Sequence, residues 1–252
     1  MKMTRKLIPA LVMLLVSAIM LSTASYAWFA TNDTVYANDM SVTARSTARF
    51  LEISTNSTSG YESSAAATSK SKTVDLVHAK ITDNKTISWY LGKSTIAADK
   101  GTTNSTSIDG GIGADGGNYA LVNTFYVRMS QGSAIGLTNL TVTGATFTGT
   151  SGALDPALRI LVVGDDGAQI FRPVAAGTKV DGVDYKLEPV TIDGSTNASS
   201  LVSSIPVDGT AKTITVYVYF DGDDAAATTN NTNSLGAMTV TVEFTASPAS
   251  QG

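Results

Sequence analysis

A period-two alternation of apolar and polar residues constrains this chain more than any other feature. From Thr213 to Phe220, the side chains of Ile214, Val216, Val218 and Phe220 fall on one side of an extended backbone and Thr213, Thr215, Tyr217 and Tyr219 on the other. Met238, Val240, Val242 and Phe244 repeat the pattern against Thr239, Thr241, Glu243 and Thr245. Successive side chains of a strand point to opposite faces, so this spacing predicts strands with one buried and one wet face. Further strands are expected at Met40 to Ile53, Val74 to Ile81, Thr86 to Leu91, Leu121 to Met129, Leu140 to Phe147, Leu158 to Val163 and Ala168 to Phe171, all rich in β-branched or aromatic residues.

Turn chemistry agrees with the strand pattern. Asp109, Asp115, Asp166, Asp181, Asp193, Asp208 and Asp221 each precede a glycine, and Asp-Gly supplies the positive φ angles of tight hairpins. Ile160 to Val163, Gly164-Asp165-Asp166-Gly167 and Gln169 to Phe171 read as strand, turn and strand. Ser54 to Ser71 and Ala97 to Gly117 lack alternation and are expected to be long surface loops. Many short strands without helical periodicity predict an all-β fold, an antiparallel two-sheet sandwich of jelly-roll type, preceded by a helical N-terminal signal segment.

The N-terminus carries that signal. Lys2, Arg5 and Lys6 precede an apolar run from Leu7 to Leu21 and a small-residue exit, Ser22-Thr23-Ala24-Ser25-Tyr26-Ala27. This order is the secretory pattern, with small residues at Ser25 and Ala27 placing the cut after Ala27. The expected organisation is a cleaved signal peptide, 1–27, and a single β-sandwich domain, 28–252. The product is expected to be secreted, extracellular or on the cell surface, meeting the membrane only through the signal before cleavage.

Charge and residue usage exclude several functions. The signal holds three of the 17 basic residues and none of the 21 acidic ones, leaving 14 against 21, a formal charge of −7. Without clustered Lys and Arg, no nucleic-acid partner is expected. There is no cysteine and one histidine, His78, so no zinc motif, thiolate nucleophile or disulfide framework exists. No Gly-x-Ser-x-Gly elbow accompanies His78, and most carboxylates sit in Asp-Gly turns, so no enzyme activity and no cofactor are expected. Asp221, Asp223 and Asp224 are weak candidates for calcium, because the spacing lacks the remaining ligands of a calcium loop. The Asn-x-Ser/Thr triplets, such as those at Asn56 and Asn139, are accounted for by the abundance of Asn, Ser and Thr.

Cleavage after Ala27 leaves Trp28 and Phe29, two large aromatics, at a new chain end. Such a terminus packs either on its own domain or into a neighbour's sheet as an added strand. The run Ser22-Thr23-Ala24-Ser25-Tyr26-Ala27-Trp28-Phe29-Ala30-Thr31-Asn32, with Val35 and then Met40-Ser41-Val42-Thr43-Ala44, resembles the SipW-type signal proteins of Gram-positive bacteria, which include the TasA and camelysin biofilm-fibre family. Thr215 to Gly222 and Thr239 to Phe244 also look like clostridial surface proteins with the same kind of signal. The resemblance implies export through a SipW-type signal peptidase and a jelly-roll subunit whose N-terminal segment fills a strand position in the next copy. Carried onto this sequence, the donor is about Trp28 to Met40, with Val35, Ala37 and Met40 as buried contacts. The metalloprotease activity described for camelysin is not carried over, since the zinc ligands are missing.

The leading expectation is therefore a structural subunit of an extracellular fibre or cell-surface biofilm matrix, its partners being copies of itself. A head-to-tail contact of this kind does not close, so it builds filaments. The rival expectation is a monomeric adhesin or glycan-binding module using Trp89 and Tyr90. These neighbours on one strand face opposite sides, so at least one ring belongs to the core.

Overall fold

A computed structural model describes residues 40–46, 50–69, 72–92, 107–108, 110–130, 134–149, 155–174, 185–190, 197–224, 227, 234–235 and 238–249. The chain divides into two units, Met1–Tyr36 and Ala37–Gly252, and every described residue belongs to the second. The expected signal segment and most of the expected donor strand thus lie outside the described residues.

The body is built from strands: β1 (Met40–Ser46), β2 (Leu51–Ser54), β3 (Ser64–Ser69), β4 (Lys72–Thr73), β5 (Val77–Thr82), β6 (Thr86–Leu91), β7 (Leu121–Met129) and β8 (Leu137–Gly149). There follow β9 (Leu158–Val163), β10 (Ala168–Pro173), β11 (Tyr185–Pro189), β12 (Val202–Ile205), β13 (Lys212–Phe220), β14 (Ser234–Leu235) and β15 (Met238–Pro248). The only helical element among the described residues is a 3-10 turn at Asp155–Ala157.

One large sheet runs in the order β2-β7-β13-β9-β10-β11-β8-β15-β1-β3, with β12 paired to β8 beside this path. Its neighbouring strands are antiparallel except β1 and β15, which run parallel. The sheet is nearly closed: Ser69 Oγ at the end of β3 donates to Asn123 Oδ1 on β7, 2.9 Å away, although the two strands lie near opposite ends of the path. β5–β6 and β4–β14 form two small separate sheets.

The alternation in β13 and β15 builds the main core. Ile214, Val216, Val218 and Phe220 point inward with Val240, Val242 and Phe244, meeting Phe125, Val127, Leu140, Phe147, Leu158, Ile160 and Val162. Burial of each large side chain contributes about 1.5–3 kcal/mol, and this cluster collects residues from both ends of the chain.

The opposite face of β13 departs from expectation. Tyr219 is fully buried, because the β5–β6 hairpin lies over β9, β10 and β13 and forms a second core. Val77, Ala79, Ile81 and Trp89 pack there against Leu161, Ala168, Ile170 and Tyr219, with Ile112 and Ala120 completing the cluster. These central strands are therefore covered on both faces, which is why β9 is apolar except for Arg159 while β13 alternates aliphatic with aromatic residues from Val216 to Tyr219.

The expected turn Gly164–Gly167 joins β9 to β10, closed by Gly164 N–H donating to Gly167 O at 2.8 Å. Gly164 lies against the Leu201 carbonyl and Gly167 against the Ser200 carbonyl, leaving no room for a Cβ on either. The expected strand Met40–Ile53 is instead two strands, β1 and β2, with Phe50 at φ 75° leading into the second. The expected loop Ser54–Ser71 contains β3, whose sequence SAAATS has weak strand propensity. β3 forms because β1 offers it a complete ladder and because Ala65 and Ala67 pack against the main core.

Candidate functional site

Two regions bear on function: the polar cluster where β13 leaves the sheet, and the point where the chain enters it. β13 ends at Phe220, and Asp221 is held at once by its own main chain. Its N–H donates to Ala157 O at 2.8 Å, and the next residue, Gly222, donates to Val77 O on β5 at 2.9 Å. The hairpin's end crosses this turn so closely that a Cβ on Gly92 would stand 2.7 Å from Gly222 Cα. Both positions are consequently confined to glycine.

This crossing brings the lone histidine to the acidic turn. His78 Nδ1 is 3.2 Å from Asp221 Oδ1 and 3.6 Å from Asp223 Oδ2. From β9, Arg159 places Nε 3.2 Å from Asp221 Oδ2 and donates through Nη2 to Asp224 Oδ2 at 2.8 Å. Its Nη1 donates to Pro156 O at 2.8 Å and to Leu158 O at 2.9 Å. His78, Arg159 and Asp221 are all buried, and the charges of Arg159 and Asp221 interact across a medium that screens poorly. A buried guanidinium is tolerable only with such partners, and its planar fork suits several oxygens at once.

The Tyr219 hydroxyl completes the cluster without a hydrogen-bond partner among the described residues. Burial holds its pKa well above the ordinary 10.0, the Asp221 carboxylate pushes it further up, and Arg159 offsets part of this. Burial likewise raises the neighbouring Tyr217. Trp89 packs edge-on against Tyr219, ring centres 5.2 Å apart, and lies 5.6 Å from Tyr217.

The sequence candidates fall as follows. Asp221 and Asp224 turn their carboxylates to Arg159, and Asp221 and Asp223 turn theirs to His78; no group of three or more metal-ligating residues converges among the described residues. His78 and Asp221 have the makings of an acid–base pair, but at 2% and 3% exposure they present no face to a substrate. The arrangement works as a clamp holding the hairpin on the sheet. Trp89 belongs to the second core, while Tyr90 is half-buried with its ring 6.3 Å from His78. Arg159 and Tyr219 were not singled out from the sequence. A lone arginine inside the apolar run Leu158–Val163 is the signal that marks a buried ion pair.

At the entry point, Trp28, Phe29, Val35 and Ala37 lie outside the described residues, and Met40 opens β1. β1 is an interior strand. Ser41 to Ser46 pair in parallel with Thr239 to Phe244 of β15, and Met40 to Arg45 pair antiparallel with Ser69 to Ser64 of β3. Ser41 Oγ also donates to Thr239 Oγ1 at 3.3 Å. No family model, curated protein or solved structure matches the chain.

Proposed function

We propose that the chain is a structural subunit of an extracellular fibre or surface matrix, joined to the next copy through the segment upstream of β1. The observation that carries this reading is the placement of β1. The chain enters the sheet as an interior strand held by main-chain hydrogen bonds on both sides. Tension applied to the upstream segment is therefore spread along two ladders rather than peeling an edge. That is the mechanical requirement on a subunit pulled by its N-terminal arm.

In this reading the large sheet folds over itself into a two-layer sandwich. The support is a single main core fed by strands from both ends of the sheet path, β2 and β7 on one side and β15 and β1 on the other. Residues 28–39 form the arm and Met40 its root. A signal peptidase of SipW type releases the arm, and Trp28 and Phe29 bury themselves in the receiving copy.

Negative-stain microscopy of the chain beginning at Trp28 tests the proposal. Filaments are expected, together with their loss and an unchanged circular dichroism spectrum when residues 28–39 are removed. Filaments that persist without the arm, or monomers only across pH, salt and concentration, overturn it.

A further inference from the structure

The β5–β6 hairpin is gripped from two sides. Val77, Ala79 and Ile81 alternate onto the second core, so His78 and Lys80 fall on the opposite face of β5. There His78 meets the acidic turn that follows β13. The turn is also a main-chain neighbour of β5: Asp221 bridges to Val77 in parallel, and Gly222 N–H donates to Val77 O at 2.9 Å.

Two carboxylates converge on one ring nitrogen. Nδ1 of His78 stands 3.2 Å from Asp221 Oδ1 and 3.6 Å from Asp223 Oδ2. A neutral imidazole donates its Nδ1–H to only one of them and leaves two anions crowded together, whereas an imidazolium between them answers both. Burial opposes the charge on His78, but Asp221 is buried with it, and their attraction is correspondingly strong. The other groups around the ring leave this balance intact. Arg159, on β9, lies beyond Asp221 and is bound to its far oxygen, Oδ2. Tyr90, on β6, is opposite His78 in the ladder with ring centres 6.3 Å apart, and the Tyr219 hydroxyl interacts with Asp221 and Arg159. Lys80 is the next residue of β5 on this face and is half-buried.

We infer that His78 is carried as an imidazolium, a second cation of the clamp beside Arg159, and that the hairpin is fastened to the sheet by this proton. The fastening does not depend on how copies associate. A histidine so placed keeps its proton above the ordinary value near 6.5, so its contribution is complete below about pH 6.5 and is lost as pH rises through the folded value. Loss of the proton sets Asp221 and Asp223 against a neutral ring. The hairpin shares no ladder with the large sheet, so it is the element that opens, uncovering Leu161, Ala168, Ile170 and Tyr219.

The chain has a single histidine, so its ring resonances are unambiguous in an NMR titration of the chain beginning at Trp28. The midpoint is expected at least about one unit above 6.5. Hydrogen-exchange protection of the β5–β6 amides, corrected for intrinsic rates, is expected to fall at least about tenfold between pH 6 and pH 9, with β7 amides nearly unchanged. His78→Gln is expected to lower hairpin protection at pH 6 and to remove its pH dependence. Asp223→Asn, at a partly exposed position that keeps the fold, is expected to draw the His78 midpoint down toward 6.5. A midpoint at or below about 6.5 overturns the inference. So does a fall in protection shared equally by β7 or retained in His78→Gln, or an Asp223→Asn midpoint equal to that of the parent.

Discussion

The two faces of β13 solve the same problem by different means. Inward, Ile214, Val216, Val218 and Phe220 meet side chains from strands far apart in sequence, and apolar burial alone closes the main core. Outward, Tyr217 and Tyr219 meet a single hairpin that shares no ladder with the sheet and is tied down at its end by His78, Arg159 and three aspartates. A core fed from many strands needs no directional fastening. A single hairpin laid on a sheet can slide, and the clamp of hydrogen bonds and charges gives it one position.

The sharpest contrast comes from truncation. Phe125→Ala, in the main core, is expected to cost about 4 kcal/mol, read as a lower denaturant midpoint for the whole domain. Arg159→Leu, in the clamp, is expected to cost about 3 kcal/mol because it strands the buried Asp221 carboxylate. Adding Asp221→Leu is expected to recover much of that loss. A double variant as unstable as the sum of the singles would break the distinction between the faces.

Tyr219→Phe removes a hydroxyl that has no partner among the described residues, so a change within about 1 kcal/mol is expected at neutral pH. In alkali the two proteins separate. The folded-state pKa of Tyr219 lies above its unfolded value near 10.0, so only the unfolded chain ionises in the window between them. Stability is complete below pH 10 and falls as pH rises through that window. Tyr219→Phe flattens the fall, which is checked by urea titrations at several alkaline pH values.

The smallest effect belongs to the exposed turn between β9 and β10. Main-chain and side-chain hydrogen bonds from Ser203 hold the Asp166 carboxyl below its usual 3.8. The stabilisation is present above pH 3.8 and is lost as pH falls through the lowered folded value. At so exposed a site Asp166→Asn is expected to cost only a few tenths of a kcal/mol, measured as a small drop in midpoint at pH 6 that disappears near pH 2.

The strands that carried strong alternation or turn chemistry were legible in the sequence: β7 and β9 run from Leu121 to Met129 and from Leu158 to Val163 as the patterns indicate. β3 was not, because Ala and Ser carry no strand signal and the neighbour that orders them lies in β1. β11 and β12 are short and draw their order from neighbours, β11 from β10 and β8 and β12 from β8. The clamp was hidden for a related reason. His78, Arg159 and Asp221 are scattered in sequence, and only the crossing of Gly92 over Gly222 brings the hairpin's histidine to the turn.

The parallel pairing of β1 with β15 also governs when folding can finish. Ser41 and Thr239 are 198 residues apart, yet they touch. A chain delivered N-terminal end first must hold β1 without one of its flanking ladders until Met238–Pro248 arrives. Closing so distant a contact makes folding slow relative to local hairpins such as β9–β10. Loss of Met238–Pro248 is therefore a fault felt at β1, which pairs with it from far away in the sequence.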